Sequence, residues 1–165
     1  MQNKLTIFLS LLVFTAVACQ FSAQPPTLTP VPPPTANPSL LLDGIWLLEW
    51  TIEGEGPDGY LYTGEATLNV NDAYEIDGQI VWTMVRTPFV DEQTKTGLSG
   101  VEYVRGTFNP DTFEVDFTGY KREDPNKVIG TDHYKLTLSA DGTQLNGRTE
   151  NYGDWKGLIA GVRKP

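Results

Sequence analysis

Across residues 40–165, apolar and polar side chains alternate with a period of two between turn-forming residues. Residues 113–117 are the clearest example, since Phe113, Val115 and Phe117 alternate with Glu114 and Asp116. A period of two places successive side chains on opposite faces of a β-strand. No window in this part of the chain keeps a helical period, so the pattern restricts it to an all-β fold.

The alternating runs predict eight strands. They lie near residues 44–52, 60–70, 74–85, 100–108, 112–120, 130–138, 143–151 and 154–163. Each connection is short enough to join neighbours, which favours an antiparallel meander. We therefore expect an eight-stranded antiparallel up-and-down barrel, because closure leaves no exposed sheet edge. A two-sheet β-sandwich is the alternative.

The connections differ in length according to the end of the barrel at which they lie, apart from the short connection between strands 7 and 8. Tight turns such as Asn71-Asp72 and Asp141-Gly142 join strands 2–3, 4–5 and 6–7, whereas strands 1–2, 3–4 and 5–6 have longer loops. Alternate connections of a meander lie at opposite ends, so we expect one closed end and one open mouth. In the loop of residues 86–99, Phe89 and Val90 could form a lid over Trp82 or plug the barrel, and we expect the plug.

The first 39 residues have a different composition from the rest. Residues 1–18 carry one charge, at Lys4, and a short apolar run typical of a secretory signal peptide. Ala16-Val17-Ala18-Cys19 resembles the lipobox of bacterial lipoproteins, which implies a lipid on Cys19; an ordinary signal peptide with a chance cysteine is the alternative. Residues 19–39 form a Pro-rich linker. We therefore expect an extracytoplasmic protein, lipid-anchored to the cell membrane or the outer membrane.

Residues 40–165 form the predicted barrel domain, and its two ends resemble those of lipocalin-type (calycin) barrels. Gly44-Ile45-Trp46, at the head of the first strand, matches the G-x-W motif of that family. Arg163, at the tail of the last strand, stands where the family's conserved arginine packs over that tryptophan. The resemblance implies structural roles for Gly44, Trp46 and Arg163 at the closed end.

Composition excludes several classes of function. The chain has 12 basic and 21 acidic residues and a net charge of −9, which argues against nucleic-acid binding. A single cysteine and a single histidine, His133, leave too few ligands for a zinc site and nearly exclude a nucleophilic triad. Glu53, Glu55 and Asp58 share a loop but lack the spacing of a calcium motif. We expect no metal and no cofactor.

The apolar faces of the predicted strands bring six side chains toward the open end, namely Trp50, Tyr62, Trp82, Glu102, Asp132 and Trp155. Aromatic faces beside carboxylates suit a cationic ligand or a sugar. The alternative is an ordinary packed core with charges at the strand ends. Glycines on the strands could leave internal room or only relieve strand bending.

These observations predict a membrane-anchored lipoprotein that binds a small ligand at the mouth of a barrel and has no enzymatic activity. We expect it to be a monomer. One alternative is an acidic interaction module that binds or inhibits a basic partner protein, steered by charge. The other is an enzyme that uses Glu102 and Asp132.

Overall fold

A computed structural model describes residues 39–165, apart from residues 152 and 154. Within this part, a four-residue helix α1 (Ser39–Leu42) precedes eight strands, which are β1 (Gly44–Ile52), β2 (Leu61–Val70), β3 (Glu75–Arg86), β4 (Ser99–Asn109), β5 (Glu114–Glu123), β6 (Asp132–Leu138), β7 (Gln144–Asn151) and β8 (Lys156–Arg163). Consecutive strands pair antiparallel, and β8 pairs with β1 to close the barrel. The prediction of an eight-stranded up-and-down barrel is confirmed, and the sandwich is excluded.

The predicted signal peptide, Cys19 and the linker up to residue 38 lie outside the described residues. Ser39, the last residue of the predicted linker, begins α1. Between Ser39 and Pro165, leaving out residues 152 and 154, no helix is long and apolar enough to cross a membrane.

Two elements differ from the sequence prediction. Strand β5 ends at Glu123 and not near residue 120, because the register of the β4–β5 pair shifts between Tyr103 and Val104 and leaves Tyr120 unpaired. Such a bulge bends a strand and re-aims the side chains beyond it. The long loop between β3 and β4 contains a 3₁₀ helix, Val90–Lys95, which an alternation pattern does not detect.

The narrow interior is filled by inward-facing apolar side chains, and glycines permit close approach of neighbouring strands. A Cβ atom at Gly106 would lie 2.0 Å from the carbonyl oxygen of Asp116, and one at Gly147 would lie 2.1 Å from that of Lys135. Side chains cannot be accommodated at these distances. These glycines therefore allow the strands to coil tightly, as an eight-stranded barrel requires.

The closed end is built around Trp46 and Arg163. Trp46 is fully buried, its indole Nε1 donates to the carbonyl of Leu42 at 2.9 Å, and the Arg163 guanidinium lies 4.8 Å from its ring centroid. Arg163 also donates to the carbonyls of Leu41, of Asp43 (2.7 Å) and of Gly142 (3.0 Å). One guanidinium thus ties α1, the β6–β7 turn and β1 together.

Gly44 gives this arginine its space. Its φ of +132° lies outside the range that most residues adopt, and a Cβ atom there would lie 2.9 Å from Nη1 of Arg163. The three residues for which the family resemblance implies structural roles, Gly44, Trp46 and Arg163, therefore meet at the closed end.

Replacement of Arg163 should destabilise the barrel. We expect Arg163→Met to lower the free energy of unfolding by about 2 kcal/mol, because it removes the contact with Trp46 and leaves several carbonyls without a donor. The matched control is Lys164→Met, which removes the same charge one residue later from an exposed pair with Glu65 and should cost less than about 0.5 kcal/mol. Urea unfolding measures both, and equal losses would contradict the role assigned to Arg163.

Candidate functional site

A cavity of about 180 Å³ lies at the end of the barrel opposite α1. It is lined by the mouth-facing ends of the strands and by the loops that precede β4, β6 and β8. All six side chains predicted from the sequence line it, namely Trp50, Tyr62, Trp82, Glu102, Asp132 and Trp155. The structure thus brings the predicted residues together, and their role in binding stays a prediction.

Three inward-facing glycines make room for the largest of these side chains. A Cβ atom would lie 2.7 Å from the Trp82 ring at Gly64, 1.8 Å from Glu102 Oε1 at Gly119 and 2.0 Å from Trp50 Nε1 at Gly157. Each large side chain therefore lies over a glycine of the neighbouring strand, where there is no side chain to exclude it. These three glycines make room for neighbouring side chains, whereas at Gly106 and Gly147 the backbone of the neighbouring strand comes close.

Glu102 is the most deeply buried charged group of the cavity, with 1% of its surface exposed. Its Oε2 accepts hydrogen bonds from Tyr134 Oη at 2.5 Å and Trp82 Nε1 at 3.2 Å, and its Oε1 accepts from the backbone N–H of Asp132 at 2.8 Å. Loss of solvation raises the pKa of Glu102 to about 7, although the three donors oppose the shift. The residue therefore titrates near neutral pH.

Asp132 lies beside Glu102 but is less enclosed. Burial raises the pKa of its carboxyl group, and hydrogen bonds with Thr149 and Asn151 oppose this rise. The Thr149 hydroxyl in turn accepts a hydrogen bond from Trp50 Nε1 at 2.7 Å. Hydrogen bonds through Thr149 consequently connect Trp50 on β1 with the Asp132 carboxylate on β6.

The aromatic rings form one connected wall. The Trp50 and Tyr62 rings meet edge to face at 5.5 Å, Tyr60 stacks on Tyr62 at 6.2 Å, and Tyr60 meets Trp155 at 5.5 Å. Trp155 lies at the rim and is 43% exposed. The wall thus runs from the interior to the solvent.

The loop between β3 and β4 is held against this wall by Glu92. The Glu92 carboxylate accepts a hydrogen bond from Tyr60 Oη and pairs with Lys95 at 2.9 Å. The bond from Tyr60 and the pairing with Lys95 lower the pKa of Glu92, while burial and the neighbouring carboxylate raise the pKa of Tyr60 to about 12. The 3₁₀ helix is thereby fixed at the mouth.

The expectation that Phe89 and Val90 plug the barrel is wrong. Phe89 is 51% exposed and Val90 is 88% exposed. The Phe89 ring contacts Tyr60 from outside, at 5.9 Å between centroids. The apolar cluster at the mouth consists instead of Tyr60, Met84 and Val128.

The sequence analysis missed the contributions of the loops to the cavity. Tyr60 begins the predicted strand 60–70 on the same face as Tyr62 but was not included in the predicted site, and Glu92, Lys95 and Val128 lie in irregular segments. Their positions depend on tertiary contacts, such as the bond from Tyr62 Oη to the Val128 carbonyl at 2.8 Å. Tyr134 belongs to the inward-facing alternation of the predicted strand 130–138, but that pattern does not identify it as the partner of Glu102.

The other groups considered from the sequence have structural contacts. His133 lies on the outer face, as its place in the alternation predicts, with Nε2 2.8 Å from Asp116 Oδ1. Glu53 pairs with Arg148 at 3.1 Å, and Glu55 accepts a hydrogen bond from the backbone of Tyr60. Among the described residues, no group of three or more His, Cys, Asp or Glu side chains is placed to hold a metal ion.

Solved structures with a similar fold are designed β-barrels. The barrel mFAP1, bound to DFHBI, shares 19% identity over 78% of this chain and 100% of its own, with a TM-score of 0.53. A de novo designed fluorescence-activating barrel shares 12% identity over 79% of this chain and 100% of its own (TM-score 0.52), and a redesigned barrel shares 23% over 78% and 96% (TM-score 0.51).

No protein family model matches the chain, and no curated protein matches it. At these identities, the likeness to the designed barrels shows the fold alone.

The pKa of Glu102 has a measurable consequence for stability. Folded protein keeps the Glu102 proton up to about pH 7, whereas the unfolded chain releases it near its ordinary pKa of 4.5. The folded state therefore binds more protons in this window, and the free energy of unfolding falls as the pH rises. Between pH 5 and pH 8 we expect the free energy of unfolding to fall by about 2–3 kcal/mol more in wild type than in Glu102→Gln.

Urea unfolding at several pH values tests this expectation. Glu114→Gln, the same chemical change on the outer face of β5, is the control and should retain the pH dependence of wild type. A wild-type profile parallel to that of Glu102→Gln would show that Glu102 does not titrate in this range.

Proposed function

We propose that the chain is a lipid-anchored, extracytoplasmic binding protein that holds a small ligand in the cavity at the open end of its barrel, and that it is not an enzyme. The observation that carries the proposal is the aromatic cavity of about 180 Å³ with Glu102 and Asp132 in its wall. A concave, mostly apolar pocket with few polar groups is the usual form of a small-molecule site.

The walls of the cavity are fixed without a ligand. Tyr62 is held by the carbonyl of Val128, Trp82 by Glu102 and Trp50 by Thr149. Among the described residues, no buried side-chain nitrogen or oxygen lacks a hydrogen-bond partner. Preorganisation of this kind reduces the entropy that binding costs, which favours a binding role.

The similar designed barrels support the proposal by analogy, since the mFAP1 structure contains bound DFHBI. A barrel of this general shape can therefore hold a small molecule. For this chain, the aromatic faces and carboxylates favour a cationic or sugar-like ligand.

Trp155 provides the first test of binding. Native mass spectrometry of the purified chain, incubated with a small-molecule extract, should show a ligand adduct. Trp155→Ala should weaken that adduct about tenfold, because it removes an aromatic contact at the rim. Tyr120→Ala removes a similarly exposed ring from the outer face of β5 and should leave binding unchanged. Absence of any adduct, or equal effects of the two variants, would reject the binding site.

Cys19 provides the test of anchoring. In a bacterial host, wild type should incorporate labelled palmitate and sediment with membranes, whereas Cys19→Ser should do neither. Gln20→Ser, a change at the next residue that keeps the cysteine, should behave like wild type. Wild-type protein without label would refute the anchor and leave the binding proposal unaffected.

A further inference from the structure

Five of the six ring donors that line the cavity are already used within the protein. Trp50 donates to Thr149, Tyr60 to Glu92, Tyr62 to the carbonyl of Val128, and both Trp82 and Tyr134 donate to Glu102. The sixth, Trp155, lies at the rim and is 43% exposed. A ligand that needs hydrogen-bond donors from the inner wall would have to break one of these bonds. Since a buried acceptor without a donor is costly, such a ligand is disfavoured.

Acceptors, by contrast, remain available. A carboxylate offers about four acceptor positions, and the Glu102 carboxylate accepts three hydrogen bonds. Asp132 is bonded to Thr149 and Asn151 and also lines the cavity. The inner wall therefore presents aromatic faces and carboxylate oxygens.

We propose that this cavity selects an organic ammonium ion, whose charged nitrogen contacts the Asp132 carboxylate while its apolar part packs on the aromatic wall. The inference rests on the proposed binding function and specifies the class of ligand. An ammonium group carries only donors, so it complements a wall of acceptors and ring faces. A sugar would bring acceptors that find no free ring donor in the inner wall, and an anion would be repelled by Asp132 and Glu102.

The two lysines that line the cavity do not cancel this preference. Lys95 is paired with Glu92 at 2.9 Å, so its charge is already balanced. Lys127 is exposed, where water screens its charge. Both lie in loops at the mouth, whereas Glu102 and Asp132 come from β4 and β6.

Ligand binding should release a proton. Part of the Glu102 population is protonated near neutral pH in the empty cavity, and a nearby cation favours the ionised form. The bound ammonium keeps its own proton, and the carboxyl proton of Glu102 passes to solvent. The affinity for the ammonium ion should therefore rise between pH 6 and pH 8.

Other titratable or charged groups also surround the cavity. They are Asp132 and Tyr134 on β6, Tyr62 on β2, Tyr60, and Glu92, Lys95 and Lys127 from the loops.

The test uses three probes of nearly equal shape, which are phenethylammonium, 2-phenylethanol and phenylacetate. Isothermal titration calorimetry with the purified chain should show that phenethylammonium binds at least about tenfold more tightly than the alcohol, as a charge-assisted hydrogen bond requires. Phenylacetate should bind most weakly. This comparison uses wild-type protein, so it does not depend on whether a variant folds.

Two variants locate the charge. Asp132→Asn should weaken phenethylammonium binding about tenfold and leave 2-phenylethanol binding unchanged. Asp111→Asn, which makes the same change in a turn at the closed end, is the control and should bind as wild type does. Glu102→Gln should remove the rise in affinity between pH 6 and pH 8.

The outcomes separate this inference from the proposed function. If the alcohol or phenylacetate binds as tightly as phenethylammonium, the cavity binds ligands but does not select cations, and the inference is overturned. If none of the three probes binds, the inference is also rejected, while the native mass spectrometry described above decides independently whether the cavity holds another ligand.

Discussion

Hydrogen bonds between β1 and β8 close the sheet, and the width of the interior follows from that closure. The register runs from the Trp46–Arg163 pair to the Ile52–Gly157 pair. A barrel of eight strands is only wide enough for its own side chains, so empty space exists only where the chain leaves side chains out or where an end is not capped. The closed end is filled by α1 and Trp46, and the cavity lies at the opposite end, between the strand ends and the loops of the mouth.

Burial of Glu102 works against the stability that closure provides. Its desolvation raises the pKa of the carboxyl group, so the ionised form destabilises the folded state above neutral pH. An apolar residue would pack at this position without that cost. Strained or destabilising groups that are held in place by their surroundings concentrate at functional sites, and Tyr134 and Trp82 are the groups that hold Glu102.

Alternation in the sequence predicts the strands and the faces of Trp82, Glu102 and Tyr134, because inward and outward positions have different requirements for burial. It does not predict the parts of the site that depend on contacts between distant segments. Tyr60 begins the predicted strand 60–70, but its contact with Glu92, which is 32 residues away, does not follow from the alternation. The bulge in β5 depends on the register with β4, and a local pattern carries no information on that register.

The two ends of the barrel have opposite hydrogen-bonding needs. At the closed end, the carbonyls of Leu41, Asp43 and Gly142 lack donors, and Arg163, which has only donors, supplies them. At the open end, indole and phenol donors need acceptors, and carboxylates, which have only acceptors when ionised, supply them to Tyr60, Trp82 and Tyr134. The carboxylates have more acceptor positions than these donors use, so the mouth retains negative charge beside aromatic rings. Arg163 over Trp46 shows how this barrel accommodates a cation on an aromatic face. In the proposed complex, the ammonium group of the ligand would be the corresponding cation at the mouth.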